Sequence, residues 1–210
     1  MLIKIKKYLI KKWLLLNTKV IIWDFDGTLY RNNEVGKILE KTYFLYLKTR
    51  VKKNISKKWF REKSNIYGGW SSLISKITKV EERKIMDDVE DMVRKHRYIK
   101  RDLQIVGVII NLKKHRHMIL SNSRKNDIKL GLEKLGFGKN NNNKFVFEKI
   151  VSRDDIRKLK PDQESFDYIL KYSKELPNKH LMIGDSYHSD LRPAKINGMK
   201  FLHINDFLSI

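Results

Sequence analysis

Short apolar runs alternate with helical patterns along most of this chain. Residues 19–23 are apolar after Lys19, rich in β-branched side chains and too few for a helix, which predicts a buried strand. Four later runs of the same character predict further strands at 117–120, 145–151, 180–183 and 200–204. Helical patterns lie between them, including 128–135, which Gly136 closes, and 165–172. Strands that alternate with helices predict an α/β fold with a doubly wound parallel sheet.

The chain departs from this rhythm after its first strand. From Asp24 to Ser121 is 97 residues, far more than a strand–helix–strand crossover needs. Helical spacing within this stretch gives two apolar faces, the second with acids early and bases late: Val35, Ile38, Leu39, Tyr43 and Tyr46, and then Ile85, Met86, Val89, Met92, Val93 and His96. We therefore predict an inserted helical domain at 32–98, a core of 18–31 and 99–210, and a helix at 103–112 that returns the chain to the sheet.

The first 17 residues form a basic extension with five lysines and no acid. Their apolar positions have helical spacing, which predicts a short amphipathic helix. Lysines interrupt the apolar stretch, so a cleaved signal peptide is not expected. No apolar run reaches the roughly 18 to 20 residues of a membrane span. We expect the extension to pack on the core or to fray, rather than to bind a membrane, and we expect a soluble, cytoplasmic protein.

The amino-acid composition excludes some kinds of functional site and bears on the binding partners. Cysteine is absent, which excludes disulfides, thiolate zinc sites and cysteine nucleophiles. Lys and Arg number 46 against 24 Asp and Glu, and this net charge of +22 would attract polyanions. The excess is scattered and mostly lysine, whereas bidentate phosphate recognition favours arginine. We interpret the charge as compositional bias, and a nucleic-acid-binding protein remains a less favoured alternative. The sequence gives no indication of an oligomeric state.

Polar side chains that could take part in catalysis or ligand binding follow the predicted strands. Asp24 and Asp26 end the first strand, Ser121-Asn122-Ser123 the second, and Asp185 with Asp190 the fourth, while Lys160-Pro161 lies in the loop after the third. In a parallel sheet these ends meet at one edge, where ligands bind. Each segment alone has a simpler explanation, since Asp and Gly favour turns and Ser121 could cap a helix. Together they predict one site.

Crowded carboxylates predict a cation, and a set made only of oxygen ligands favours Mg²⁺. A carboxylate held beside phosphorus can attack it to give an aspartyl-phosphate. A second carboxylic acid can protonate the leaving alcohol and later activate water. Lys160 and the Ser121 hydroxyl would then bind the phosphoryl oxygens, helped by free N–H groups of the helix after Asn122. This chemistry predicts phosphoryl transfer.

Four ordered motifs resemble the haloacid dehalogenase superfamily of phosphohydrolases: DFDGTL at 24–29, SNS at 121–123, KPD at 160–162 and GDSYHSD at 184–190. The similarity covers about 18–30 and 100–206. It implies a Rossmann-like core, Mg²⁺ and an insert that caps the substrate. The insert matches the family in position and helical character only.

The resemblance also implies roles for single residues. Asp24 would be the nucleophile and a metal ligand, and Asp26 the acid/base that lends its backbone carbonyl to the metal. Ser121 and Lys160, with Asn122, would hold the phosphoryl group. Asp185 would complete the metal site. Asp190 would be either a further ligand or the partner that orients Lys160.

An aspartate at position 26 favours phosphoryl transfer over dehalogenation, because departure of a halide needs no proton. The expected substrate is a small phosphorylated metabolite that carries a phosphomonoester. A phosphomutase of sugar phosphates and a phosphatase of polynucleotide ends remain alternatives. Two positions depart from the family pattern. Pro193 suits the first turn of a helix, and Tyr30 is bulkier than the usual aliphatic residue, which we expect to affect access to the site.

Overall fold

The computed structural model describes residues 9, 12–52, 54–138 and 146–209 of the chain. They divide into two compact units, one made of Met1–Arg31 with Lys100–Ile210 and the other of Asn32–Ile99. Much of the 1–17 extension lies outside the described residues, as does the first residue of the strand predicted at 145–151. None of the helices in the described part of the chain combines the length and hydropathy that a membrane-spanning helix needs.

The first unit contains a five-stranded parallel sheet in the order β3-β2-β1-β4-β5. The strands are β1 (Val20–Trp23), β2 (Arg116–Leu120), β3 (Lys149–Val151), β4 (His180–Gly184) and β5 (Lys200–His203). The central strand β1 is buried along its whole length, as expected for a strand covered on both faces. The predicted α/β fold with a parallel sheet is confirmed. Strand β3 begins later than predicted, at Lys149.

The helices of this unit follow the strands in chain order. They are α5 (Leu103–Asn111), α6 (Lys125–Leu135), α7 (Gln163–Ser173), α8 (Arg192–Ile196) and α9 (Ile204–Leu208). Gly136 ends α6 in the left-handed conformation, as its place in the pattern predicts. Pro193 lies in the first turn of α8, which is also as predicted. Strands and helices enclose an apolar core to which Ile22, Phe166 and Met182 belong.

Buried side-chain hydrogen bonds link β1 to β2. The indole N–H of Trp23 donates to Nδ1 of His117 at 3.0 Å, and Nε2 of the same ring lies 3.0 Å from the Leu112 carbonyl. Burial lowers the pKa of His117, so the neutral ring is favoured and its two nitrogens can serve one as acceptor and one as donor. These hydrogen bonds satisfy the indole N–H, both imidazole nitrogens and the carbonyl, whose burial without partners would cost free energy.

The second unit is helical. Its elements are α1 (Asn33–Lys48), α2 (Lys57–Tyr67), α3 (Trp70–Thr78), α4 (Glu82–Val93) and a 3₁₀ turn at Lys95–Tyr98. They share an apolar core that includes Phe44 and Phe60, whose rings meet edge to face at 5.6 Å. A capping role for this unit stays a prediction.

Three details of the predicted helical face at 85–96 are wrong. Helix α4 ends at Val93, because Arg94 adopts a left-handed conformation with φ of 47°. His96 therefore lies in the following 3₁₀ turn, and the basic residues lie beyond the helix rather than in its last turn. Met92 points away from the core and is 65% exposed.

The last residues of the amino-terminal extension are buried on one side only. Residues 12–16 are helical, and Leu14 is buried while its carbonyl accepts a hydrogen bond from Lys200 at 3.1 Å. Trp13 and Leu16 are exposed instead. The expected packing on the core therefore holds for one side of this short segment only.

Candidate active site

The carboxyl ends of three adjacent strands carry the predicted site residues. Asp24 follows β1, Ser121 follows β2, and Asp185 follows β4. Because β1 lies between β2 and β4 in a parallel sheet, these ends come together at one edge. Lys160 and Asp190 reach the same edge from the loop after β3 and from the π-helical turn Tyr187–Leu191.

Lys160 lies between two carboxylates. Its Nζ donates to Oδ1 of Asp24 at 2.7 Å and to Oδ1 of Asp190 at 2.5 Å. All three side chains are almost fully buried, with 3%, 9% and 1% of their surfaces exposed, in that order. Two N–H groups of the ammonium are used in this way, which leaves the third for another acceptor.

The electrostatics of this triplet are strongly coupled. Burial would lower the pKa of Lys160, but the negative charges of Asp190 and Asp24 outweigh it, so the pKa lies above its usual value. Burial raises the pKa of Asp24 well above its usual value, and the charges of Asp190, Asp185 and Asp26 add to this rise while Lys160 opposes it. One lysine thus does not balance the acids around it, and a further cation would favour ionised Asp24.

Asp185 forms the solvent-facing part of the same cluster. Oxygen atoms of Asp24, Asp185 and Asp190 all lie within 4.8 Å of one another. Loss of solvent around its carboxyl group, and then the charge of Asp190, raise the pKa of Asp185 to about 6, although the residue as a whole is exposed. The exposure is the better guide to access, so a cation could reach Asp185 from water. An oxygen-only cluster with excess negative charge fits Mg²⁺.

Asp190 has both carboxylate oxygens engaged within the protein. Oδ1 accepts from Lys160, and Oδ2 accepts from the backbone N–H of Ser186 at 3.1 Å. Of the two roles that the resemblance left open for Asp190, this geometry favours the partner that orients Lys160. Both oxygens of Asp24 also accept hydrogen bonds, from Lys160 and Thr28, but each oxygen keeps a second lone pair for a metal. Asp185, which faces solvent, offers the more available oxygens.

Asp26 faces a different set of partners. The hydroxyl of Tyr30 donates to its Oδ1, and the hydroxyl of Ser123 donates to its Oδ2. Its side chain is not among the three clustered carboxylates, although its charge contributes to the raised pKa of Asp24 and of Asp185. Tyr30 itself is buried and donates a hydrogen bond to Asp26, a contact that the expectation about access did not include.

Ser121 and Asn122 differ in what they offer. Ser121 is buried, and its Oγ accepts from the backbone N–H of Ser123 at 3.1 Å, which leaves its own hydroxyl hydrogen for another partner. The side chain of Asn122 instead pairs with the backbone of Lys160. Its Nδ2 donates to the Lys160 carbonyl and its Oδ1 accepts from the Lys160 N–H, both at 2.9 Å. Asn122 thus fixes the loop that carries the lysine.

Sequence reasoning did not find two supports of the site. Arg153 is almost fully buried, its Nη1 lies 3.3 Å from the Asn122 carbonyl, and its backbone N–H donates to the Ser123 carbonyl at 3.1 Å. Nothing distinguishes it in the sequence from the other arginines. The bond from Tyr30 to Asp26 had a usable signal, since the tyrosine directly follows the first motif and departs from the family pattern. His188, within the fourth motif, is exposed as a surface histidine would be.

Three solved structures illustrate what this chain resembles. It is similar to CbbY from Rhodobacter sphaeroides in complex with phosphate, at 18% identity and a TM-score of 0.66, with 89% of this chain and 85% of that chain covered. The YfnB protein of Bacillus subtilis bound to magnesium matches at 14% identity and 0.57, covering 88% and 85%. L-2-haloacid dehalogenase from Xanthobacter autotrophicus matches at 15% and 0.56, covering 88% and 76%.

At these identities the likenesses show the fold alone, and no curated protein sequence matches the chain. The family profile is more informative, because it matches residues 21–204, nearly the whole chain, and spans all four motifs. The chain belongs to the haloacid dehalogenase-like hydrolases.

Proposed function

We propose that this hydrolase is a Mg²⁺-dependent phosphatase that cleaves a small phosphomonoester through an aspartyl-phosphate. The observation that carries the proposal is the buried Asp24–Lys160–Asp190 triplet with Asp185 at its edge. Phosphate bound to CbbY and magnesium bound to YfnB give independent support from structures of the same fold.

Asp24 is the proposed nucleophile. Lys160 holds its Oδ1, and the hydroxyl of Thr28 donates to its Oδ2 at 3.2 Å, so the carboxylate is fixed in orientation. One of its oxygens forms a bond to phosphorus as the bond from phosphorus to the substrate oxygen breaks. A fixed nucleophile removes much of the entropic cost of this step.

Asp24 and Asp185, with the backbone carbonyl of Asp26, are proposed to hold Mg²⁺. When bound, Mg²⁺ supplies positive charge that offsets the carboxylates and the phosphoryl oxygens. Asp190 remains the anchor of Lys160. The third N–H of that lysine and the hydroxyl of Ser121 donate to phosphoryl oxygens, where negative charge gathers in the transition state. Main-chain N–H groups at the start of α6 can contribute in the same way.

Asp26 is proposed to be the general acid and base. In the first step its carboxyl proton moves to the leaving oxygen, which receives the electron pair of the breaking bond. In the second step the Asp26 carboxylate removes a proton from the water that attacks the aspartyl-phosphate. A carbon–halogen bond needs no such donor, because halide leaves as the free anion. The presence of Asp26 therefore supports phosphatase activity rather than dehalogenation.

The test is release of inorganic phosphate from p-nitrophenyl phosphate with Mg²⁺ present. Asp24→Asn should lose at least about a thousandfold in kcat, since the carboxylate nucleophile is gone. EDTA should suppress wild-type turnover, and added Mg²⁺ should restore it. The matched control is Asp167→Asn, the same change at an exposed position on α7, which should retain wild-type rates.

A second measurement examines the intermediate. Acid-quenched wild-type protein should carry one phosphoryl group in its intact mass during turnover, and Asp24→Asn should carry none. Sustained phosphate release by Asp24→Asn would refute the proposal. Isomerisation of a sugar phosphate without net release of phosphate would instead identify a phosphomutase.

A further inference from the structure

Tyr30 occupies an unusual place for a residue outside the catalytic motifs. It directly follows the first motif and is buried, with 3% of its surface exposed. Its ring packs edge to face against Phe25 with 5.2 Å between ring centroids. Its backbone forms an isolated parallel bridge with Asp26. Ring and backbone are therefore both fixed, and the hydroxyl is delivered to Oδ1 of Asp26.

The other oxygen of the same carboxyl group is held from a different segment. The hydroxyl of Ser123, beyond β2, donates to Oδ2 of Asp26. Ser123 is itself fixed, because its backbone N–H donates to Ser121 and its carbonyl accepts from Arg153. The Asp26 carboxyl group is thus held at both oxygens, by hydroxyl groups that cannot shift without moving buried neighbours.

We propose that Tyr30 is a positioning residue for the proton transfer that Asp26 performs. The inference rests on the proposed phosphatase function. An acid that serves both steps must stay within hydrogen-bond reach of the leaving oxygen and then of the attacking water. An aspartate has two rotatable side-chain bonds, and hydroxyl contacts at both oxygens select one orientation. An aliphatic residue at position 30 could not supply the contact to Oδ1.

The two contacts leave Asp26 able to transfer a proton. Each carboxylate oxygen has two lone pairs, so an oxygen that accepts from a hydroxyl still has a position for a proton. After that proton has moved to the leaving oxygen, both hydroxyls stabilise the carboxylate that remains. Tyr30 therefore acts on the step through Asp26 and needs no contact with substrate.

Substrates that differ in their need for a proton provide the test. An alkyl phosphate releases a basic alkoxide and depends on a general acid, whereas 2,4-dinitrophenyl phosphate releases a stable phenolate without one. Steady-state kinetics with Mg²⁺ would compare 2,4-dinitrophenyl phosphate with the alkyl phosphate that wild type hydrolyses fastest. The comparison uses kcat/KM, because this ratio covers the steps through departure of the leaving group, whereas kcat also includes the attack of water on the aspartyl-phosphate, in which Asp26 acts with either ester. Tyr30→Phe should lower kcat/KM on the alkyl ester by about tenfold, as expected for one lost hydrogen bond to a charged group. Its kcat/KM on the dinitrophenyl ester should stay within about twofold of wild type.

Three further variants make the result interpretable. Asp26→Asn should show the same selectivity with a larger loss, about a hundredfold or more on the alkyl ester. Ser123→Ala removes the other hydroxyl and should repeat the pattern of Tyr30→Phe, which keeps the proposal testable if Tyr30→Phe does not fold. Tyr172→Phe, the same change at a partly exposed tyrosine on α7, should match wild type on both esters.

The outcomes separate cleanly. Equal losses on both esters would mean that Tyr30 supports the fold rather than the proton transfer, and no loss on either would remove it from the mechanism. Both results overturn the proposal. Failure of the underlying function has a different appearance, because wild type would then hydrolyse neither ester, and the role of Tyr30 would fall with it.

Discussion

Replacement of Lys160 by methionine tests the electrostatic basis of the site without any substrate. Methionine keeps most of the volume of the lysine stem and removes its charge. Asp24 and Asp190 would then be buried without the ammonium that contacts them at 2.7 and 2.5 Å. Removing one partner of a buried ion pair costs about 3 to 5 kcal/mol, because the remaining charge stays desolvated and unpaired.

The cost should appear as a lower melting temperature. For a chain of 210 residues, 1 kcal/mol corresponds to about 2 to 4 °C, so Lys160→Met should melt about 6 to 20 °C below wild type. Thermal melts followed by circular dichroism at pH 7.5 would measure this, with EDTA present so that metal is not a variable. The matched control is Lys158→Met, because the Lys158 side chain is 55% exposed and its Nζ lies 3.5 Å from Oδ2 of Asp162. A surface pair of that kind contributes under about 1 kcal/mol.

The pH dependence gives the prediction a sign as well as a size. Without Lys160, the buried carboxylates favour protonation more strongly than they do in wild type, where the pKa of Asp24 is already raised by burial. The folded variant therefore binds protons that the wild-type fold does not, and its deficit relative to wild type should shrink by about 1.4 kcal/mol per pH unit for each such extra proton. The electrostatic argument would be refuted if Lys160→Met had the same melting temperature as Lys158→Met at pH 7.5. It would also be refuted if the stability deficit of Lys160→Met grew as the pH was lowered towards 5.5.

Three further changes address other parts of the site. Gly27→Ala should weaken Mg²⁺ binding by about tenfold or more in calorimetric titration, because a Cβ there would lie 2.2 Å from Oδ2 of Asp185, whereas Gly107→Ala, with open space around it, should not. Mg²⁺ should raise the melting temperature more at pH 7.5 than at pH 5. The pKa of Asp185 is about 6 in the folded state, above its unfolded value of about 4. The stability that its retained proton contributes is therefore fully present below about pH 4 and is lost as the pH rises through 6. Above that pH the ionised carboxylate can bind the metal. Asn122→Ala removes both bonds to the Lys160 backbone and should cost about 1 to 3 kcal/mol in urea unfolding.

The sheet could be predicted from the sequence because its central strands are covered on both faces. Burial on both sides demands an uninterrupted apolar run such as the one in β1, and such runs are visible without any tertiary information. The convergence of Asp24, Ser121 and Asp185 followed from the same fact, since parallel strands place their carboxyl ends at one edge. These inferences needed only the position of each residue along its own strand.

Features that depend on contacts between distant segments could not be predicted in this way. The pairing of Asn122 with the Lys160 backbone joins residues 38 positions apart, and no local pattern indicates it. The end of α4 at Val93 was missed for a different, local reason. Arg94 adopts a left-handed conformation that sequence rules assign mainly to glycine and asparagine, so the apolar period suggested a helix through His96.

The glycines of the first and fourth motifs follow from the carboxylates rather than from turn formation alone. A Cβ at Gly27 would lie 2.2 Å from Oδ2 of Asp185, and one at Gly184 would lie 2.4 Å from Oδ2 of Asp190. Gly27 also has φ of 78°, which disfavours other residues, but Gly184 lies at the end of a regular strand and has no such need. A turn-forming role therefore explains at most the first glycine. Both glycines are explained if each leaves space for an acidic side chain to pack against the backbone. The two motifs then reflect the close packing of the carboxylate cluster as well as its charge.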